Sequence, residues 1–240
     1  MLIEKLLLNL ASHDMVNEEE QSVLTSIFTR TATFGIGEDL VAQGSRPPYS
    51  TLMLEGISAR YKILEDGSRQ ITAFHIAGDF VDLHAFLLKT MDHGIIAMSP
   101  CTVALADHND LKRVTETQPH LTRLLWLDTL IDGAVHREWI VAMGRRSRIS
   151  HLAHLICELF TRLRVVGLVE GSIFRLPLSQ SEVADALGLS LVHLNKTLQR
   201  LRREGVVRWE QKVVEILDWE RLAEVAEFDD TYLSLSFEPR

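Results

Sequence analysis

Apolar and polar positions along this chain change rhythm twice. Leu2, Leu6 and Leu10 recur at four-residue spacing and predict a short amphipathic helix. Asn17-Glu18-Glu19-Glu20 has the spacing of a capping box, an Asx side chain at the N-cap and a carboxylate three residues on, and opens a helix through about Phe28. From Phe34 to Asp107 the apolar runs become short or alternating and are punctuated by Gly35, Gly37, Gly44, Gly56, Gly67, Gly78 and Gly94, which predicts an antiparallel β domain. Its clearest strand is Ile57 to Leu64, where Ile57, Ala59, Tyr61 and Ile63 share one face and Ser58, Arg60 and Lys62 share the other, the period of a half-buried strand. Asp66-Gly67 supplies a hairpin turn, and Arg69 to Ile76 returns as the partner.

After Asp107 the rhythm becomes helical. A segment from Pro119 to about Met143 carries Leu121, Leu124, Leu125, Leu127, Ile131, Val135 and Trp139 at helical spacing. At ~1.5 Å per residue it spans roughly 35 Å, more than one face of a small β domain needs. Leu121, Leu124, Leu125, Ile131, Val135 and Trp139 are therefore the expected contacts of an isologous dimer. Gly144-Arg145-Arg146-Ser147-Arg148 interrupts the stripe and marks the expected domain boundary. A second helix then follows with Leu152, Leu155, Ile156, Leu159, Phe160 and Leu163, and His151 and His154 on it are expected at the surface or a hinge.

The densest signal lies further on. Ser179-Gln180-Ser181-Glu182 is a second capping box, and the helix it opens buries Val183, Ala184 and Leu187. Gly188-Leu189-Ser190 makes a three-residue turn in which Ser190 caps the next helix, and two helices so joined are a helix-turn-helix. In the second helix Leu191, Leu194, Leu198 and Leu201 are expected to face inward, which leaves Val192, Asn195, Lys196, Gln199 and Arg203 outward. Asn and Gln can bond adenine bidentately, Lys can reach guanine or phosphate, and Val can meet a thymine methyl. With Ser179, Gln180, Ser190, His193 and Arg200 these form the expected contacts to double-stranded DNA. Val206 to Trp209 and Val213 to Leu217 follow as a hairpin placed like a wing, and Asp229 to Arg240 has little structural signal.

Charge sharpens this picture. The chain of 240 residues carries a net −8, so nothing global draws it to nucleic acid. Yet Ser190 to Gly205 holds Lys196, Arg200, Arg202 and Arg203 against Glu204 alone. Only two cysteines, Cys101 and Cys157, sit among apolar neighbours, too few for an iron–sulfur cluster within one chain and suited to a reducing cytoplasm. No apolar run is long enough for a membrane span.

The order of parts resembles one family, the bacterial Crp/Fnr transcription regulators. In the roll the similar residues are Phe34, Gly37-Glu38, Gln43-Gly44, Leu52 to Gly56, Asp66-Gly67, Arg69-Gln70-Ile71, Phe74 and Gly78-Asp79. In the DNA module they are Leu178 to Ala186, Gly188-Leu189-Ser190, Val192-His193, Asn195 and Leu198 to Gly205. The resemblance implies an α+β chain: an N-terminal antiparallel β-roll (a jelly-roll-like double-stranded β-helix, residues 1–116), a long dimerisation helix (117–144), a C-terminal winged helix-turn-helix (145–228) and a tail (229–240). It also implies a homodimer whose two recognition helices enter successive major grooves ~34 Å apart, with RNA polymerase as a further partner, and no enzymatic activity.

The resemblance implies as well an effector pocket, and Gly78, Asp79, His84, Asp92 and His93 are its candidate residues. Cyclic-nucleotide-binding relatives place an Arg on the phosphate where this chain reads Met91-Asp92-His93-Gly94, and hydroxyls in the dimer helix where it has Gly133 and Ala134. A carboxylate there repels a phosphate, so an effector other than cyclic AMP is expected, with no cofactor and no metal. Two other classes remain open: a cupin-like metal-dependent enzyme using His75 and His84, and a protein-binding sensor acting through the acidic end, where Glu215 to Arg240 counts eight acidic residues against two basic.

Overall fold

A computed structural model of the chain describes residues 1–67 and 69–240 and divides it into two units, residues 1–133 with 234–240, and residues 134–233. The first unit opens with α1 (Glu4–Ala11) and α2 (Glu18–Ser26). Leu6 and Leu10 of α1 are buried, whereas Leu2 lies before the helix and is exposed. Both halves of the capping box form on α2: Asn17 Oδ1 accepts from the Glu20 amide, and Glu20 accepts from that of Asn17, each at 3.0 Å.

Seven strands and three helices follow: β1 (Phe28–Phe34), β2 (Asp39–Val41), β3 (Tyr49–Glu55), β4 (Ser58–Ile63), β5 (Arg69–His75), α3 (Ala85–Leu88), β6 (Gly94–Ala97), β7 (Cys101–Asp107), α4 (His108–Thr117) and the start of α5 (Pro119–Arg145). They pair antiparallel in two sheets, β1-β7-β3 and β2-β6-β4-β5, the expected roll. One apolar cluster, with Val41, Met53, Val81, Met91, Ile95 and Val103, fills its interior. A second joins Leu6, Leu10, Leu24, Leu111 and Val114 of the helices to Leu52, Ala104 and Ala106 of the sheet.

That second cluster also takes Leu121, Leu124 and Leu125, which corrects the expected dimer contacts. Val135 and Trp139 are likewise buried by their own chain, and Ile131 is half-buried. The helix carries apolar residues on two faces, and the regular stripe is the one its own unit covers. Its exposed apolar residues are Trp126, Leu130, Ile140, Val141 and Met143. A helix break does fall in the expected segment, α5 ending at Arg145 and the next helix opening at Arg148 behind its Ser147 cap, but the chain divides by contacts earlier, between Gly133 and Ala134.

The second unit continues with α6 (Arg148–Val165), β8 (Val169–Glu170), β9 (Ile173–Arg175), α7 (Gln180–Ala186), α8 (Leu191–Arg203), β10 (Val207–Glu210), β11 (Val213–Ile216), α9 (Trp219–Ala226) and a 3-10 turn (Asp230–Leu233). The wing hairpin β10-β11 is extended by β9 and β8 into a four-stranded sheet, two strands that periodicity had not resolved. Nearly all of α6 is buried, including His151 and His154, contrary to the surface placement expected of them. His154 packs against Phe228 and Tyr232, and burial, with the Arg146 charge adding, pushes both imidazoles down to about 4. Glu158 is fully buried and accepts from the Trp139 indole, Arg162 and the Tyr232 hydroxyl, so its charge is bonded on three sides.

The tail is not loose. The 3-10 turn leads to residues that belong with the first unit, where His13 Nδ1 bonds the Ser234 carbonyl at 2.8 Å and the Glu238 amide donates to the His13 carbonyl at 2.9 Å.

Gly94 marks a tight approach in the roll. It pairs with Tyr61 across β4 and β6, and a methyl group on it would overlap the Tyr61 ring, whose hydroxyl donates to Asp39 at 2.8 Å. Gly94→Ala should therefore destabilise the chain by ~1–3 kcal/mol through overpacking, read as a lower urea midpoint at unchanged slope. An unchanged midpoint would show that the ring moves aside without loss.

Candidate nucleic-acid interface and effector pocket

The helix-turn-helix is built by local rules. Ser179 Oγ accepts from the Glu182 amide while Glu182 accepts from that of Ser179, which starts α7. At Gly188 the backbone takes φ +62°, a conformation costly for residues with a Cβ, and the chain turns within three residues. Ser190 Oγ then accepts from the His193 amide at 3.3 Å and starts α8.

Leu194, Leu198 and Leu201 are buried and fix the roll of α8 about its axis. Leu191 is exposed rather than inward, since the first turn of the helix projects past the core. Val192, His193, Lys196, Gln199, Arg200 and Arg203 are exposed, and Asn195 is half-buried on the same side. The structure thus presents Val192, His193, Asn195, Lys196, Gln199, Arg200 and Arg203 on α8 with Ser190 exposed at its cap, while Ser179, exposed, and Gln180, half-buried, stand at the start of α7. Two carry local duties as well: His193 Nδ1 meets Ser190 Oγ at 3.0 Å, and Arg200 pairs with Glu204 at 2.8 Å. Arg202 is used internally, donating to the Trp209 carbonyl and tying α8 to β10. At the wing tip Gln211 and Lys212 are exposed, with Gln211 at φ +55°; sequence reading saw them only as a turn.

The candidate pocket residues of the roll separate into two groups. Gly78 and Asp79 shape their own turn: the Gly78 amide donates to the Met53 carbonyl, and Asp79 Oδ2 accepts from the Ile76 amide at 2.8 Å. His84 and His93, by contrast, come together with ring centroids 5.1 Å apart. Asp92 is largely exposed and takes Lys62 at 3.2 Å and His93 Nδ1 at 2.7 Å. Burial would raise its carboxyl, but the bonds from His93 and Lys62 outweigh that and hold it down to about 2.

Two residues that sequence reading missed complete this group. Arg60 was assigned to the face of its strand opposite the apolar one, yet it is only 4% exposed, and its neighbours Ser58, Ala59 and Tyr61 are buried too, whereas Ile63 is exposed. The reason is Asp132 on α5, whose two oxygens meet the guanidinium at 3.2 and 3.0 Å; a further bond runs from Arg60 to the Val81 carbonyl. An Arg in an otherwise buried strand was the available signal; its partner lies 72 residues away. Burial pushes His84 down to about 4 and lowers His93 too, the Arg60 charge adding to both, so each is a neutral imidazole near pH 7. Asp82 beside them is pushed up to about 7 by burial, and bonds from the Thr51 amide and hydroxyl oppose this. His75 pairs instead with Ser58. Among the described residues no three His, Cys, Asp or Glu groups gather as metal ligands, so the cupin-like arrangement does not form there.

Comparison with known proteins agrees with the geometry. Residues 150–225 match the Crp-like helix-turn-helix domain, and residues 31–118 match the cyclic nucleotide-binding domain. The chain is 30% identical over 174 residues to a Rhizobium leguminosarum protein named "Probable transcriptional activator", covering 72% of this chain and 71% of that one. It is 28% identical to the nitrogen fixation regulation protein FixK of Bradyrhizobium diazoefficiens, covering 82% of each. The solved structure of FixK2 from Bradyrhizobium japonicum superposes with a TM-score of 0.73 at 22% identity, over 82% of this chain and 96% of that one. With its β-roll, its long helix and its winged helix-turn-helix in this order, the chain belongs to the Crp/Fnr family of DNA-binding transcription regulators.

Proposed function

We propose that the chain acts as a homodimer that lays α8 of each copy in successive major grooves of a near-palindromic operator, and that an effector other than cyclic AMP, held in the β-roll, controls it. The observation that carries the DNA reading is the one face of α8 on which Val192, Asn195, Lys196, Gln199 and Arg203 stand together, opposite a buried leucine face. Amides, an ammonium and an apolar tip on a capped helix match the donor and acceptor pattern of major-groove base edges. Gln211 and Lys212 at the wing tip and Arg200 suit the phosphates, which position without reading sequence.

Dimerisation rests on the exposed side of α5, where Trp126 and Ile140 are 65% and 70% exposed and Leu130 lies between them. Trp126, Leu130, Arg137 and Ile140 fall at alternating spacings of four, seven and three along the helix, positions that fit a heptad seam. Relatives named as transcriptional activators favour recruitment of RNA polymerase over its exclusion. No helix among the described residues is long and apolar enough to cross a membrane, and we place the protein in the cytoplasm with its DNA.

Against cyclic AMP stands Asp92, an anion engaged by Lys62 where a phosphate clamp would have to be. Calorimetric titration with cyclic AMP should therefore give no heat of binding at micromolar concentrations; saturable micromolar binding would refute this.

Selection of bound duplexes from random DNA should return two half-sites about one helical turn apart. On the selected site Asn195→Ala should lose ~1–3 kcal/mol while random-sequence DNA loses far less. Equal losses on both would remove Asn195 from base reading. Leu130→Asp with Ile140→Asp should convert a two-chain species into a single-chain one in sedimentation, with operator affinity falling at least tenfold; an unchanged mass would place the dimer contact elsewhere.

A further inference from the structure

The Arg60 cluster has the properties of a recognition site and not only of a buried strut. Buried polar atoms in folded proteins are nearly always bonded. Here His84 Nε2 and His93 Nε2, on rings 5.1 Å apart, are both buried without a partner among the described residues. His93 itself is 8% exposed. Its Nδ1 faces the Asp92 carboxylate at 2.7 Å, so the proton sits there and Nε2 presents a lone pair. His93 is thus set to accept from a donor that none of the described residues supplies.

Arg60 provides the complementary half. A guanidinium is planar and matches the two oxygens of a carboxylate. The carboxylate now on it, that of Asp132, comes from α5, and its side chain is 30% exposed. Asp132 can therefore be hydrated when it leaves, which a fully buried carboxylate could not. An external carboxylate would restore the charge balance at Arg60 with the same bidentate geometry. The nearby negative charge of Asp92 disfavours a dianion such as phosphate.

We propose that this cluster binds a small organic acid carrying a hydroxyl group, whose carboxylate takes the place of Asp132 on Arg60 and whose hydroxyl donates to His93 Nε2. The assignment rests on the reading of the β-roll as the sensor and names the class of effector it takes. The exchange gives the ligand a differential grip on two states, as any effector needs. With Asp132 on Arg60, α5 is tied to β4; with the acid there, that tie is released two residues before the second unit begins at Ala134.

The test uses the full chain and its thermal midpoint as acid is added. Lactate and 4-hydroxybenzoate should raise the midpoint of the natural protein saturably, and benzoate, lacking the hydroxyl, should need about tenfold more. Asp132→Asn removes the carboxylate that meets the guanidinium and should lower the midpoint. Acetate or lactate should then rescue it at concentrations at least tenfold below those the natural protein needs, while chloride at equal ionic strength should not. Arg60→Gln combined with Asp132→Asn should abolish the rescue, and His93→Phe should erase the preference for 4-hydroxybenzoate over benzoate. Rescue by chloride as strong as by acetate, rescue that survives loss of Arg60, or a natural protein indifferent to every hydroxy acid at millimolar concentration would overturn the assignment. So would inorganic phosphate or cyclic AMP outbinding the acids. Operator binding is read separately: a chain that holds its selected duplex yet ignores the acids refutes this assignment alone, whereas a chain that holds no duplex refutes the regulator reading on which it rests.

Discussion

A guanidinium cannot be buried without a counter-charge, and the first unit is arranged around that constraint. Arg60 sits in the middle of β4 with the roll's apolar interior on its flanks, and its charge is balanced by Asp132, 72 residues further on. Removing one partner of such a pair typically costs ~3–5 kcal/mol, because the other charge is left in a medium that solvates it poorly. The pair therefore specifies more than it stabilises: it fixes where α5 lies against the β4 strand. It also sets the chemistry around it, since the same positive charge helps keep His84 and His93 neutral.

The second unit solves a similar problem differently. Glu158 is as buried as any carboxylate can be, but an indole, a guanidinium and a phenol surround it. Burial raises its pKa while Arg162 and the two neutral donors oppose that rise. None of these donors is offered from outside the unit, so this site is closed, and its role is to join α5, α6 and the 3-10 turn behind the helix-turn-helix. The contrast with Arg60 is instructive. One buried charge is bonded by three donors of its own unit, whereas near the other two ring nitrogens have no partner among the described residues.

How much of this was legible in the sequence depended on how far apart the determining residues lie. The helix-turn-helix was readable to within a residue because its determinants are local: Ser179 with Glu182, Gly188 at the turn and Ser190 at the cap all act within four positions. Leu191 was misplaced because helical spacing says which face a residue joins, not how far along the helix the core extends. The roll was legible as a class from its glycines and alternation, but not in its details. Arg60 obeyed the alternation of β4 and was read onto the face opposite the apolar one, when a distant carboxylate had drawn it inside. The α5 stripe failed for a related reason: two apolar faces on one helix compete for the same periodic signal, and the more regular one belonged to the unit's own core. The tail was invisible because its anchors are backbone groups meeting His13, which leave no compositional trace.

Those anchors bear on how a signal could pass. The second unit is joined to the first by the chain at both of its ends, through α5 at Gly133 and through the segment that begins at Ser234. Arg240's amide donates to Asp14, and Asp14 and Glu20 both meet His120 in the first turn of α5, at 3.1 and 2.6 Å. Burial opposes a charge on that imidazole, but the two carboxylates outweigh it and raise its pKa. The first turn of α5 and the terminal residue thus share one carboxylate. The helix that carries Asp132 is consequently held at its start by charge, at Asp132 by Arg60, and through Asp14 it has a common partner with the other tether. A ligand competing only for Arg60 would act on the second of these two holds, leaving the start of the helix fixed while freeing the stretch that leads into the DNA-binding unit.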